Sequence, residues 1–254
     1  MTADADPQQS TVPNVRTVPV TAPLRWLASG WGDFRAHPLP SLCYGVCFGV
    51  MGWLIALTFR HAYAYVAALF CGFFLVGPYL ATGIYALSRQ RENGEPVRLV
   101  PTLDAWRPNV GAIGVFSLVL TVILLVWARA SLVVFALFYT SEMPSVDRFV
   151  EQVVSLDNLE FLVAYVCVGG FFAALVFAIS VVAVPMMLDR RTDGVIAVLT
   201  SLKAFGANVP AMIVWGLTIA IVIGAGFALW FAGLVVAVPV IGHATWHAYR
   251  ALVE

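Results

Sequence analysis

Five stretches of the chain contain no Asp, Glu, Lys or Arg: Ala36 to Phe59, His61 to Ser88, Pro108 to Ala128, Phe161 to Leu188 and Ala204 to Tyr249. A helix that crosses a bilayer needs roughly 20 mostly apolar residues at about 1.5 Å each. The first four stretches therefore predict one spanning helix apiece. The fifth holds 46 residues, too many for one helix, and predicts a tight pair with its turn near Gly226 to Trp230. The pattern predicts six spans.

Between the spans the pattern turns amphipathic. Leu24, Leu27, Trp31 and Phe34 recur at helical intervals among Arg25, Asp33 and Arg35, which predicts a helix lying in the membrane interface. Leu99 to Trp106 and Val195 to Phe205 read the same way. Val146, Phe149, Val150, Val153 and Val154 predict an outer amphipathic helix whose other side carries Asp147, Arg148 and Glu151. Ser131 to Thr140 either extends the third span or re-enters the interface. Residues 1–22 are polar and aperiodic. They lack the apolar core of a signal peptide and read as a disordered cytoplasmic tail. Residues 23–254 form a single membrane domain.

Three copies of one unit emerge when the span entrances are aligned. Trp31-x-x-Phe34-x-x-His37 matches Leu103-x-x-Trp106-x-x-Asn109 and Leu202-x-x-Phe205-x-x-Asn208. The exits match as well, at Gly77-Pro78, Val184-Pro185 and Val238-Pro239, each soon followed by arginine. The copies run over about 24–90, 98–191 and 193–254. Outer loops of different length absorb the unequal spacing, as repeat architectures tolerate. The fold class is an all-α integral membrane protein: six transmembrane helices in three tandem parallel hairpin repeats, each preceded by an interfacial helix. The His or Asn at each entrance is placed to cap the following span. The exit proline bends or ends the returning helix. Gly45, Gly49 and Gly52 form a small-residue ridge suited to close helix contact.

Composition agrees with the pattern. Hydrophobic residues make up 61% and charged residues 11%, against about 25% charged in soluble domains. The net charge of zero argues against a nucleic-acid partner. With the amino terminus in the cytoplasm, 11 of the 14 basic residues lie inside, and only Arg60, Arg129 and Arg148 lie outside. This asymmetry predicts both termini on the cytoplasmic side of a bacterial inner membrane. The bilayer is the first partner; a membrane-protein partner or a second copy is a further one. Cys43, Cys47, Cys71 and Cys167 fall within spans and read as small buried residues.

The runs Gly77-Pro78-Tyr79-Leu80-Ala81-Thr82-Gly83-Ile84-Tyr85, Pro185-Met186-Met187-Leu188-Asp189-Arg190 and Pro239 to Arg250 resemble an uncharacterised family of proteobacterial multi-pass inner-membrane proteins. That family is a domain of unknown function, some of whose members are labelled as resembling cytochrome c oxidase subunit I. The resemblance covers roughly residues 24–254. It implies the membrane class and brings no activity, cofactor or site residue.

One constellation invites a sharper hypothesis. His243 and His247 are four apart and share a helix face, a spacing that metal or haem ligands use. Cys43 and Cys47 have the same spacing at the same depth, and the four would make a tetrahedral metal site if the first and last spans pack together. The alternative is an interfacial belt in which His243, Trp246, His247 and Tyr249 turn polar tips to headgroups. A haem-copper subunit would need many more spans and histidines on several helices. The chain has no HExxH, GxSxG or P-loop. Asp33, Asp104 and Asp189 stand beside arginines and read as solvated pairs, so no catalytic residue and no cofactor is expected. The leading expectation is a non-catalytic membrane protein that binds or organises a membrane partner. Transport of a small neutral or lipid-like substrate is the alternative, and metal or haem binding is the second.

Overall fold

The computed structural model describes residues 12–61, 66–138, 159–229 and 231–254. It is all-helical, with no strand among the described residues. The elements are α1 (Ala22–Ala36), α2 (Pro38–His61), α3 (Val66–Glu92), α4 (Val110–Phe138), α5 (Leu159–Ser180), α6 (Ala183–Arg190), α7 (Gly194–Ala207), α8 (Val209–Ala228) and α9 (Leu234–Leu252). Among the described residues, five segments are long and apolar enough to cross a membrane: Pro38–Thr58, Leu69–Glu92, Val100–Phe138, Leu159–Arg190 and Val209–Ala228. Their outer faces suit lipid rather than water. On α4, Val115, Leu118 and Val122 are each more than half exposed, a density of apolar surface that soluble proteins avoid. The helix runs unbroken to Phe138, so residues 131–138 extend it. The amphipathic stretch 146–154 lies outside the described residues, as does Trp230 in the last turn.

Helices α1, α2, α3, α6 and α8 pack on α9. The helix is apolar from Leu234 to Ile241 and polar-tipped from His243 to Arg250, yet both halves are largely buried. It runs antiparallel to α2: Ser41 meets His243, Gly45 meets Val235 and Pro239, and Gly52 meets Phe231. The glycine ridge read from the sequence is this contact surface. Pro239 has no N–H, so the Val235 carbonyl loses its usual helical donor. Gly45 lies directly against that oxygen, where any Cβ would overlap it. On another side α1 crosses α9 at Gly30, whose absent Cβ would stand 2.5 Å from Ala244 N and 2.7 Å from Val240 O. On the third, a Cβ on Gly242 would lie 2.7 Å from Ile84 Cγ2 of α3.

Several local expectations are corrected. Residues 12–21 are no loose tail: Arg16 N–H donates to Leu252 O at 2.8 Å, and Val15 bridges Val253. Residues 14–16 thus lie against the last residues of α9. The entrance amides do not cap their spans. Asn208 instead accepts from Val18 N–H through Oδ1 at 2.7 Å and donates to Arg16 O at 3.0 Å. Asn109 donates to Met187 O and Thr192 O. Each amide finds better-placed partners on a neighbouring segment than in its own first turn. Leu99 to Trp106 is not an α-helix but part of a run of turns including Val100–Thr102 and Arg107–Asn109, because Pro101 and Pro108 interrupt the donor ladder. At the exit of α5 the helix breaks after Ser180. Ser201 of α7 bridges the gap, donating to Ala178 O and accepting from Val182 N–H.

The glycine contacts yield a stability prediction. Gly30→Ala drives a methyl into backbone atoms that cannot rotate away, and costs about 1–3 kcal/mol or more. Gly224→Ala meets nothing within 4 Å and gains helix propensity. Thermal unfolding of the detergent-purified protein should show a lowered midpoint for Gly30→Ala, and an unchanged or raised one for Gly224→Ala.

Candidate functional site

The sequence places Trp26, Gly30 and Asp33 on one face of α1. Because Gly30 lets α1 lie flush on α9, Asp33 is carried inward and is only 5% exposed. A lone buried carboxylate is costly, and here it is surrounded by donors. Ser88 of α3 donates to Oδ2 at 2.7 Å, and His247 of α9 donates Nε2–H to the same oxygen at 3.0 Å. Arg91 of α3 donates to Oδ1 at 2.6 Å. Burial pushes the Asp33 carboxyl up. The hydrogen bonds from His247 and Ser88, with the charge of both histidines, outweigh it and hold the group below its ordinary value.

Beyond Ser88 the network continues to His243, which is 2% exposed. Ser88 Oγ lies 2.7 Å from His243 Nδ1, and Ser41 Oγ of α2 lies 2.9 Å from Nε2. Counting protons assigns the roles. Ser88 has one proton and gives it to the carboxylate, so it accepts Nδ1–H from His243. In neutral His243, Nε2 then accepts from Ser41. When His243 is protonated both nitrogens donate, and Ser41 turns its proton to His37 O, 2.9 Å away. The chain Ser41, His243, Ser88, Asp33 is therefore hydrogen-bonded throughout in two states that differ by one proton. Gain or loss of that proton needs no more rearrangement than rotation of the Ser41 hydroxyl.

A second row extends this clasp toward the chain ends. Trp246 Nε1–H and Arg250 Nε–H both donate to Glu92, at 2.8 and 2.9 Å. Tyr249 donates its hydroxyl to Asp189 at 2.7 Å, and Arg190 donates to the Tyr249 oxygen at 3.1 Å. A cleft of about 440 Å³ opens from the clasp, with Asp33, Ser88, Arg91 and His247 on its wall.

This arrangement revises the sequence expectations. The tips of His243, Trp246 and Tyr249 face protein partners rather than headgroups, since all three side chains are buried. Asp33 is no solvated pair, and Asp189 is half-buried under Tyr249. Only Asp104, beside Arg107 at 3.6 Å, fits the surface reading. His243 and His247 do converge, but on Asp33. Cys43 and Cys47 are exposed, because the buried face of α2 carries Ser41, Tyr44 and Phe48, and a helix presents residues 43 and 47 to the other side. Among the described residues no three of His, Cys, Asp or Glu are set to hold a metal ion. Ser41, Ser88 and Arg91 carry no site motif in the sequence. Their one signal is position, as polar residues close to the ends of α2 and α3.

Residues 65–189 match the model of a family described as Predicted integral membrane protein (DUF2189). The stretch belongs with integral membrane proteins. No curated protein and no solved structure matches the chain. Of the clasp, Ser88, Arg91 and Asp189 fall inside the DUF2189 match, while Asp33, Ser41, His243 and His247 fall outside it.

The clasp predicts a pH dependence. A carboxyl whose folded pKa is depressed below its ordinary value of 3.8 contributes fully above that pH, and the contribution disappears as pH falls through the folded value. Thermal midpoints should hold at neutral pH and drop on acidification below about pH 4. Asp33→Asn, which loses charge-assisted hydrogen bonds, should be destabilised by about 2–3 kcal/mol at pH 7 and show a smaller further loss in acid.

Proposed function

We propose that this is a non-catalytic membrane protein that binds a lipid-like molecule inside its helical bundle. One observation carries the reading. Between α2, α3, α8 and α9 lies a chamber of about 600 Å³ with only apolar lining residues, among them Phe48, Phe70, Phe73, Phe74, Phe227 and Phe231. Its size and character suit a ligand with a bulky apolar body. A smaller apolar cleft of about 320 Å³ shares Phe70 and Phe74, so α3 presents aromatic rings to both. The polar groups at the other end of the bundle are committed to one another, which favours a binding role over chemistry. Movement of a neutral or lipid-like substrate would use the same chamber.

The topology belongs to this proposal. α9 is the sixth crossing, supported by its antiparallel course along α2 and by its return to Arg16. Both termini then lie in the cytoplasm of a bacterial inner membrane, on the side that carries most of the basic residues. Three hairpins in a ring fit the contacts between copies. The returning α9 packs on α2, and the returning α3 on α4. Phe177 of the returning α5 approaches Gly216 of α8, where a Cβ would stand 3.6 Å from the ring.

The test is ligand retention. Ala56 lines the chamber, and Ala56→Trp should fill it. Ala128→Trp, on the exposed face of α4, should not. Mass spectrometry of extracts from the purified proteins should find an apolar ligand in wild type and Ala128→Trp, and a loss of most of it in Ala56→Trp. Equal retention in all three, or none in wild type, sinks the reading.

A further inference from the structure

A separate cleft lies between α4 and the short helix α7, with a volume of about 750 Å³. Its walls are apolar, with Val115 and Phe116 on α4 and Val198 and Leu199 on α7. The two helices meet at Gly194, where a Cβ would stand 3.5 Å from Ala112 O. Away from that point the cleft widens, and beside Gly111 there is open space. Such a slot accepts an acyl chain.

The rim supplies the chemistry of a headgroup. Arg191 and Asp193 both border the cleft and are exposed. The C-cap of α6 holds Arg191 at φ 51° and ψ 32°, and among the described residues its guanidinium has no partner. Asp193 spends one oxygen on capping α7, accepting from Val195 N–H at 2.6 Å, and the other has no partner among the described residues. A cation and an anion two residues apart above an apolar slot match a zwitterionic headgroup in which a phosphate is followed by a primary ammonium.

We infer that this cleft is a binding site for a phospholipid with an ethanolamine-type headgroup: the phosphate on Arg191, the ammonium on Asp193 and an acyl chain between α4 and α7. The anionic phosphate takes the bidentate donors of the guanidinium, and the carboxylate selects an ammonium carrying N–H donors over a glycerol headgroup. The inference goes beyond the bundle chamber, because the two cavities share no lining residue. Either can fail without the other.

The experiment is native mass spectrometry of the full chain released from vesicles holding equal amounts of phosphatidylethanolamine, phosphatidylglycerol and phosphatidylcholine. Two variants keep the local fold. Arg191→Asn suits the left-handed backbone position, and Asp193→Asn preserves the helix cap. Val115→Trp fills the slot. Wild type should retain phosphatidylethanolamine about fivefold over phosphatidylglycerol, the selectivity of a single exposed charge contact. Arg191→Asn and Val115→Trp should each lower that retention by a similar factor. Asp193→Asn should keep a lipid but lose the preference. Phosphatidylglycerol held as well as phosphatidylethanolamine by wild type, or Arg191→Asn retaining lipid like wild type, overturns the assignment.

Discussion

A carboxylate can be buried at the edge of a membrane only where several donors replace the water it gives up. Asp33 meets that condition with Ser88, Arg91 and His247, drawn from two helices besides its own. The constraint works in both directions. The carboxylate is tolerable because α3 and α9 surround it, and the polar half of α9 is tolerable inside the bundle because the carboxylate and its neighbours, Glu92 and Asp189, take up its donors. Remove that anion and the histidine end of α9 has no reason to be buried. The antiparallel register of α9 on α2 also depends on it, since Ser41 and Ser88 bracket His243 within the same network.

Close packing supplies what hydrogen bonds do not. Lipid is as apolar as the helix surfaces, so association in a membrane rests on contact area and small residues. Gly30, Gly45 and Gly242 allow backbones to approach α9 from three sides. The proline in α9 is used rather than merely accommodated, because the carbonyl it frees lies against Gly45. At the opposite end the filling changes to phenylalanine rings, which meet edge to face. Phe73 and Phe74 stand 5.9 Å apart, and Phe227 and Phe231 stand 5.4 Å apart. Rings in these poses cannot close the space as glycines do, and the apolar chamber lies there. One end of the bundle is tied and the other holds volume.

How much of this the sequence discloses depends on whether the signal is local. Membrane class, the five long spans and the contact role of Gly45, Gly49 and Gly52 are local and legible. The clasp is not, because its partners are far apart: Asp33 and His247 are separated by 214 positions, and Ser41 and His243 by 202. An aspartate flanked by arginines looks solvated until Gly30 is known to press its helix onto another. The histidine pair was legible as a pair, but its ligand set was not. Depth alone matched it to Cys43 and Cys47, and helical phase then turned those cysteines outward. The entrance asparagines mislead in the same way, since a capping position on a sequence says nothing about a better acceptor on the next segment.

The central claim is that His247 is held in place by Asp33, and the most direct measurement is a double-mutant cycle between them. Thermal stability at pH 7 would be compared for wild type, Asp33→Asn, His247→Gln and the double variant. The account predicts that the second substitution costs much less once the first is made, with a coupling of about 1–3 kcal/mol, the range seen for residues in one hydrogen-bond network. Losses that add to within about 0.5 kcal/mol would show two independent residues, and would contradict the clasp.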